Sequence, residues 1–444
     1  MKFFTFKGGI HPPENKEITE KIMIEKGTEP TTVMIPMQQH IGAPCEPIVK
    51  VGDRVKMGQK IGEPIGFVSA PIHSSVSGVV KAIVAVPVST GNDALAVVIE
   101  SDGKNEVDIT VSPKASIETM NSEEIIDAIK EAGIVGMGGA TFPTHVKLSP
   151  PPEKKIDTII LNGAECEPYL TADYRLMVEN PDDIIYGLKI IMKAIGVENA
   201  YVGIENNKLD AIDIMLEALK DESNIKVVAL QTKYPQGGEK QLIAAIMDRE
   251  VPSGGLPMDV GVIVHNVGTA AQIAKTFRTG MPLIDRVTTV TGKAIREPKN
   301  LLVKVGTPVK DLIEQCGGYI EDPGKIIIGG PMMGVAQHTV DIPVVKGTSG
   351  VLILNKEEAK TPNPQNCIRC GKCVEICPIR LQPLYISENS LNDRMDQAEK
   401  YRALDCIECG SCSFVCPAKR PLLPSIRVAK NQILANKRKE NKSN

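Results

Sequence analysis

The chain has 444 residues, which is too long for one ordinary domain and suggests about three. Its hydrophobic content of 42% is normal for a globular protein, and its formal net charge of −3 argues against a protein that coats nucleic acid. Aromatic residues make up only 3% of the chain and tryptophan is absent, so platforms for base stacking and a nucleic-acid partner are not expected.

The apolar runs of the chain are all short. The N-terminal stretch MKFFTFKGGIHPPENK has one small apolar patch, which Lys7 and two glycines interrupt, so a signal peptide is not expected. No run approaches the ~20 residues that cross a bilayer as a helix. We therefore expect a soluble or peripheral protein.

The residue patterns divide the chain into zones. Residues 1–100 are rich in Val, Ile, Gly and Pro, and turn residues punctuate short runs that indicate short strands. In residues 115–285 helical patterns alternate with buried apolar runs, which is typical of a parallel sheet covered by helices. The first of these helices, NSEEIIDAIKEAG, is expected to begin with a capping box of Asn121 and Glu124 and to end at Gly133.

The last three zones are shorter. In residues 286–345 short strands surround one helical stretch, PVKDLIEQCGG, so a small mixed sheet wrapped on a helix is expected. Residues 346–430 contain most of the cysteines. Residues 431–444 form a charged tail that we expect to fray.

Two cysteine runs of identical spacing, NCIRCGKCVEICPIR and DCIECGSCSFVCPAK, hold eight of the 11 cysteines. A C-x2-C-x2-C triplet can reach three corners of a cubane cluster, and the fourth cysteine, followed by proline, ligates the other cluster in two-cluster ferredoxins. The glycine after the second cysteine relieves crowding near the inorganic sulfide. The spacing therefore predicts two [4Fe-4S] clusters, one held by Cys367, Cys370, Cys373 and Cys416, the other by Cys406, Cys409, Cys412 and Cys377.

Zinc is the competing interpretation of these runs. Structural zinc sites usually take two separated C-x2-C pairs, which do not match a tight triplet followed by Cys-Pro. The remaining cysteines, Cys45, Cys166 and Cys316, are expected to be ordinary buried thiols.

Glycine-rich stretches mark a second candidate site. GIVGMGGATFPTHVKL is not a dinucleotide fingerprint, because a helix precedes it and the glycine spacing differs. It either ends that helix or brings backbone N–H groups against a phosphate or a flat ring. LNGAECEPYLTADYR and VHNVGTAAQIAK follow predicted strands, whose carboxyl ends are where open α/β sheets bind ligands, and YPQGGEKQL adds another glycine loop. For LNGAECEPYLTADYR the alternative is a solvated acidic turn.

These stretches together resemble a known family. GMGGATFPTHVKL, NGAECEPYLTADYRLM, GGEKQL and VHNVGT resemble, in order, the flavin-binding segments of the flavin-bearing subunit of respiratory complex I. The N-terminal FKGGIHPPENK, HIGAPCEPIVKVGDRVKMGQ and GFVSAPIHSSVSGVVKAI, followed by this core and the paired cysteine runs, resemble the RnfC family. Its members are the peripheral NADH/FMN/iron–sulfur subunits of the Rnf complex, a bacterial ion-translocating ferredoxin:NAD oxidoreductase. The resemblance extends through about Arg427.

The resemblance implies a multidomain α/β and α+β protein. Residues 1–100 would form a barrel-sandwich domain of the lipoyl type, although APIHSSVSGVV has no lysine for a covalent group, and residues 115–285 a Rossmann-like FMN/NADH-binding core. A β-grasp ligand-binding domain, a two-cluster ferredoxin-like domain and a basic tail would follow at residues 286–345, 346–430 and 431–444.

The resemblance also implies cofactor-binding residues, without a catalytic nucleophile or base. The matching positions are Gly136, Gly138, Gly139 and Lys147 for the FMN-phosphate loop, Asn162 and Glu165 beside the flavin, Phe142 and Glu167 near the nicotinamide nucleotide, Gly237 and Glu239 on the second glycine loop, and Asn266 and Thr269 at the last strand end. The sequence departs from complex I at Met137, Ala164, Gly238 and His265.

By the same resemblance, the chain would exchange hydride between NAD(H) and FMN and relay single electrons through both clusters. It would be peripheral on the cytoplasmic face of the cell membrane, with integral-membrane and ferredoxin-like Rnf subunits as partners and ferredoxin acting indirectly. The basic stretch 419–442 either faces anionic lipid or an acidic partner, or is a solvated tail.

Two other functions share some of these features. A cobalamin reductase has the same flavin core and paired cluster motifs, but in a different order along the chain. An electron-wire subunit would carry the clusters without a working flavin site.

Overall fold

The first domain is a barrel-sandwich of short strands. The computed structural model describes residues 3–443, and β1 (Ile24–Lys26) already belongs to a later sheet. The strands of the first domain are β2 (Thr32–Pro36), β3 (Cys45–Pro47), β4 (Arg54–Val55), β5 (Lys60–Pro64), β6 (Ile72–His73), β7 (Gly78–Pro87) and β8 (Asp93–Ser101). They form two antiparallel sheets, ordered β2-β8-β7-β4 and β3-β5-β6, around a core that includes Val33 and Ile35. This confirms the predicted class of the domain.

The second domain follows the predicted alternation of helices and strands. Its helices are α1 (Ser122–Glu131), α2 (Thr144–Lys147), α3 (Ala172–Glu179), α4 (Pro181–Ile195), α5 (Leu209–Ala218), α6 (Glu239–Met247) and α7 (Val267–Thr279). Its strands are β9 (Thr158–Gly163), β10 (Asn199–Glu205), β11 (Ile225–Leu230) and β12 (Val262–Asn266). All four strands are parallel, in the order β11-β10-β9-β12, so their carboxyl ends meet at one edge.

Local sequence signals account for the helices of this domain. The capping box of α1 is confirmed, because Asn121 Oδ1 accepts the N–H of Glu124 at 3.0 Å and Glu124 Oε2 accepts the N–H of Asn121 at 2.7 Å. α4 and α7 pack unusually closely, since a Cβ at Gly187 would lie only 1.8 Å from Ala270 O. Glycine at that position is what allows the two helices to cover one face of the sheet together.

The third domain is a mixed sheet with one helix. Its elements are β13 (Asp285–Thr291), β14 (Lys299–Lys304), α8 (Val309–Gln315), β15 (Lys325–Ile328), β16 (Val335–Gln337) and β17 (Gly350–Leu354). The strand order is β1-β14-β13-β17-β15-β16. The sheet extends past the predicted limit at residue 345, because the buried run GVLIL of β17 pairs with both β13 and β15. The predicted limit falls inside the sheet because it is set by where the cysteine-bearing zone begins.

The C-terminal domain is helical around the cysteine runs. It contains α9 (Lys372–Glu375), α10 (Pro383–Leu391), α11 (Met395–Lys400), α12 (Ser411–Val415) and α13 (Leu422–Ser443). Ile426 and Ile433 of α13 pack against Ile386 and Ala398. From its sequence we expect the charged tail to fray, but its residues up to Ser443 continue α13 as a helix. Lys437 Nζ lies 2.5 Å from Glu399 Oε1, which ties this part of the helix to α11. Asn444 lies outside the described residues.

The N-terminal segment before β2 ties the domains together. Phe4 forms a parallel bridge with Leu230 at the edge of the second domain, and Gly9 N donates to Ile376 O of the C-terminal domain at 2.8 Å. Further along, β1 adds a parallel strand to β14 of the third domain. None of the helices in residues 3–443 combines the length and the apolar character that a transmembrane span requires.

Candidate functional site

The first glycine loop lies against the N-terminus of α7. Asn266 caps this helix, its Oδ1 accepting a backbone N–H of the first turn at 2.8 Å. A Cβ at Gly138 would lie 3.0 Å from Asn266 Nδ2, and Thr269 Oγ1 accepts the N–H of Met137 at 2.9 Å. Gly138 and Gly139 are exposed at the loop tip. The tip thus presents backbone at a helix N-terminus, which suits an anion.

The second glycine loop packs against the end of β9. Asn162 Nδ2 donates to Gly237 O at 2.9 Å, and its Oδ1 accepts the N–H of Ala164 at 3.0 Å. A Cβ at Gly237 would lie 2.3 Å from Ala164 O, so a side chain there would force the loops apart. Cys166 Sγ accepts the N–H of Gly237 at 3.3 Å. The structure therefore brings the predicted Asn162 and Gly237 into direct contact.

Buried polar atoms around these loops lack hydrogen-bond partners within the described chain. They include Nε2 of His265 and both amide atoms of Gln236. Burial, with a smaller contribution from Lys147, lowers the pKa of His265 to about 3, so its ring is neutral at pH 7. Lys147 Nζ donates to Glu239 Oε1 at 2.7 Å and to Val264 O at 2.8 Å. Orphaned polar groups and an exposed glycine tip fit a bound FMN.

An acidic pair, Glu165 and Asp173, lies at the start of α3 beside Asn266. Glu165 accepts the N–H groups of Asp173 at 2.9 Å and Tyr174 at 3.3 Å, at the start of α3. Burial, and then the Glu165 charge, raise the pKa of Asp173 to about 7, although Asp173 accepts from Asn266 Nδ2 at 2.6 Å. Arg286 of β13 also reaches the first loop, donating to Met137 O at 3.3 Å. Glu165 therefore fixes the start of α3.

Glu167 and Phe142, both expected near the nicotinamide nucleotide, differ in their surroundings. Phe142 is half-buried, and its carbonyl accepts the N–H of Gly136 at 2.8 Å. Glu167 accepts the N–H of Met332 at 3.1 Å and that of Met333 at 2.9 Å, both from the third domain. Burial raises its pKa to about 7 in spite of these donors. Contact of either residue with the nucleotide stays a prediction.

The outer cysteine set comprises Cys367, Cys370, Cys373 and Cys416. The structure brings all four around one cavity. Cys367 and Cys370 are exposed, and Arg369, Lys372 and Arg420 line the same cavity. These are the four residues that the crossed ligand pattern predicts for one cluster.

The inner cysteine set comprises Cys406, Cys409, Cys412 and Cys377. Burial, and then the charges of the other three thiols, raise the pKa of Cys412 to about 12, so the four cysteines lie within electrostatic reach of one another. Cys377, Cys409 and Cys412 are buried. The second predicted ligand set is thus also assembled across the two runs.

The two runs repeat the same backbone. Gly371 and Gly410 have φ of +77° each, which favours glycine, and the N–H two residues after Cys367 and after Cys406 donates to that sulfur at 3.4 Å in both runs. N–H groups directed at ligating sulfurs are a feature that tunes iron–sulfur clusters. Within residues 3–443 no three His, Cys, Asp or Glu side chains form a group that would hold a single metal ion.

The inner cysteine set lies against the second domain. Cys409 packs in one apolar cluster with Ile10 and Tyr234, and Cys166 and Met332 border that cluster. Sequence reasoning missed three of the residues at this junction. Gln236 and Tyr234 lie in YPQGGEKQL, where only the glycines and the glutamate carry a sequence signal for binding. Met332 lies in a glycine-flanked turn that contains no typical ligand residue.

Comparisons with known families match every domain. A Nuo51 FMN-binding domain matches residues 129–275, an RnfC barrel sandwich hybrid domain residues 4–104, an SLBB domain residues 287–336, and a 4Fe-4S dicluster domain residues 366–419. The FMN-binding match contains both strand ends and both glycine loops, and the dicluster match contains all eight cysteines of the outer and inner sets.

Among curated proteins, the chain is 56% identical to the C-subunit of the Na+-translocating ferredoxin:NAD+ oxidoreductase complex of Acetobacterium woodii, over 99% of this chain and 100% of that one. It is 52% identical to the C-subunit of the proton-translocating complex of Clostridium ljungdahlii, over 96% and 94%. It is 42% identical to the C-subunit of the ion-translocating oxidoreductase complex of Rhodobacter capsulatus, over 98% and 84%.

A solved structure shares the fold. An NAD+-reducing [NiFe]-hydrogenase in the air-oxidized state aligns with a TM-score of 0.50 and 15% identity, over 72% of this chain and 64% of that one.

Proposed function

Because the chain belongs to the RnfC family, we propose that it is the NAD(H)-dependent electron-transfer subunit of an ion-translocating ferredoxin:NAD+ oxidoreductase. One observation carries the proposal. Cys409 of the inner cysteine set shares an apolar cluster with Tyr234 and Cys166, which flank the second glycine loop. A site for two-electron exchange and a site for one-electron relay are therefore adjacent in one chain.

The residues of the pocket fit the task of holding FMN. The exposed tip at Gly138 and Gly139 would face the phosphate together with Lys147, and Asn162 fixes the second loop beside it. His265 offers a neutral, unpaired ring nitrogen to a bound ring or ribityl chain. When bound, FMN accepts a hydride from NADH and releases its electrons singly. The protein's contribution is orientation and exclusion of water, and no side chain is assigned as nucleophile or base.

The two cysteine sets differ in exposure, and this difference indicates the order in which the two clusters would carry electrons. Three of the four inner cysteines are buried and Cys409 packs against the second domain, whereas Cys367 and Cys370 of the outer set are exposed. Electrons would therefore pass between the flavin pocket and the inner cluster, and between the outer cluster and a partner. Electrons would move toward the pocket when NAD+ is reduced and away from it when NADH is oxidised.

The partners would be other subunits of the complex, integral-membrane and ferredoxin-like, with ferredoxin acting indirectly. Arg369, Lys372 and Arg420 line the cavity of the outer set, so an acidic partner surface would be electrostatically complementary. The chain would lie peripherally on the cytoplasmic face of the cell membrane. Its basic C-terminal helix, α13, could add contact with anionic lipid, which deletion of residues 431–444 followed by membrane retention would test.

Anaerobic purification tests the proposal. We expect a flavin absorbance band, about eight irons per chain as two cubanes require, and bleaching of both chromophores by NADH. Full iron content without flavin would identify an electron-wire subunit. Flavin-loaded protein that NADH fails to bleach, or tetrahedral zinc in place of the iron, would refute the assignment.

A further inference from the structure

The turn between β15 and β16 lies against Cys409 of the inner cysteine set. Residues 329–334 (GGPMMG), here the methionine turn, belong to the third domain. Met332 packs against the apolar cluster of Cys409, and its carbonyl oxygen would lie 3.2 Å from a Cβ at Gly410, the residue after that cysteine. One wall of the inner site is therefore supplied by a domain that carries none of the predicted cluster or flavin residues.

Glu167 holds this turn in place. Its two carboxyl oxygens accept the N–H groups of Met332 and Met333 at 3.1 and 2.9 Å, so both oxygens are engaged by the turn. The fit leaves no room for a side chain at Gly330, where a Cβ would lie 2.1 Å from Glu167 Oε2. Glu167 is itself anchored, because the buried Lys16 donates to its backbone carbonyl at 2.9 Å.

We propose that Glu167 is a positioning residue that fixes the methionine turn as a cap over the inner cluster, and that shielding this cluster is the task of the third domain. The inference rests on the proposed function, since it requires a cluster there. Solvent access and the surrounding dipoles set the potential of an iron–sulfur cluster. Water admitted by a loosened cap would stabilise the more negative, reduced cluster and raise its midpoint potential, and it would let oxidants reach the cluster.

The first test needs no cofactor. Gln at position 167 can accept from only one of the two N–H groups, because its amide nitrogen faces the other. We expect Glu167→Gln to speed hydrogen exchange in residues 329–334. The matched control is Glu358→Gln: Glu358 accepts from Tyr169 of the second domain at 2.8 Å but does not contact the methionine turn. Exchange at the turn that stays as slow as in wild type would overturn the proposal.

The second test uses the holoprotein. Glu167→Gln and Met332→Ala should both raise the midpoint potential of the inner cluster, followed by EPR in a redox titration, and leave the outer cluster unchanged. Loss of the inner signal in air should be faster in both variants than in the wild type. Gly330→Ala should act in the same direction.

The outcomes separate this inference from the proposed function. Wild-type protein without cluster signals would contradict both. Wild-type protein with both clusters, but variants whose inner potential is unchanged, would contradict this inference alone. An increased KM for NADH in Glu167→Gln with an unaltered inner cluster would assign Glu167 to the nucleotide site and would also overturn it.

Discussion

Gly237→Ala should weaken flavin binding, because the pocket depends on close contact between two loops. The added Cβ would lie 2.3 Å from Ala164 O, whereas real Cβ contacts essentially never fall below 3.0 Å, so the loops must separate by about 0.7 Å. The obstructing atom is backbone and cannot rotate away. Overpacking of this kind costs about 1–3 kcal/mol. If that strain is relieved when the flavin leaves, the Kd for FMN rises about 5- to 150-fold.

Fluorescence titration of flavin-free protein with FMN measures this change. The matched control is Gly66→Ala in the first domain, where the nearest atom, Ala43 Cβ, would be 3.3 Å away. Its affinity for FMN should equal that of the wild type. Wild-type affinity in a folded Gly237→Ala protein would show that the contact between the second glycine loop and the end of β9 does not shape the flavin site.

Three further predictions address the ligands, the phosphate and a buried charge. Cys377→Ser should abolish the inner cluster and Cys416→Ser the outer one, because the fourth cysteine of each run ligates the other run's cluster. Each variant should lose about four of the eight irons. Loss of the outer EPR signal in Cys377→Ser and of the inner one in Cys416→Ser would contradict the crossed pattern. Lys147→Met should raise the Kd for FMN about 10- to 150-fold, since a hydrogen bond to a charged group contributes about 1.5–3 kcal/mol, and an unchanged titration would exclude Lys147 from the phosphate site. Burial lowers the pKa of Lys346 to about 7, so above that pH the unfolded chain binds more protons than the folded chain, and the free energy of unfolding rises toward pH 10.5. In Lys346→Met, the free energy of unfolding measured by denaturation should rise less steeply with pH over this range, by about 1.4 kcal/mol per pH unit. Equal slopes in the variant and the wild type would contradict the assigned burial.

Local sequence signals predicted the parts of the structure that depend on local geometry. The capping box of α1, the alternation of the second domain and the assembly of two four-cysteine sets all follow from spacing along the chain. The contact of Asn162 with Gly237 could be expected in the same way, because parallel strands end at one edge of the sheet.

Contacts between residues far apart in the chain were not predictable in this way. The run GVLIL indicates a buried strand, but nothing local shows that it pairs between β13 and β15. The two bonds between Glu167 and the methionine turn join residues 165 and 166 positions apart and leave no periodic pattern. The charge of the tail predicts an unstructured segment, yet packing of Ile426 and Ile433 of α13 supports the helix.

One measurement tests the central claim most directly: that the flavin and the clusters exchange electrons within this chain. Purified holoprotein is mixed anaerobically with one equivalent of NADH, and the flavin absorbance and the cluster EPR signals are followed in time. The flavin should bleach first, and reduced clusters should then appear without any partner protein. In Cys377→Ser, which keeps the outer cluster but lacks the inner one, NADH should no longer produce the EPR signal of the reduced outer cluster. Bleaching of the flavin with no cluster signal, or cluster reduction at the same rate in protein stripped of flavin, would contradict the account.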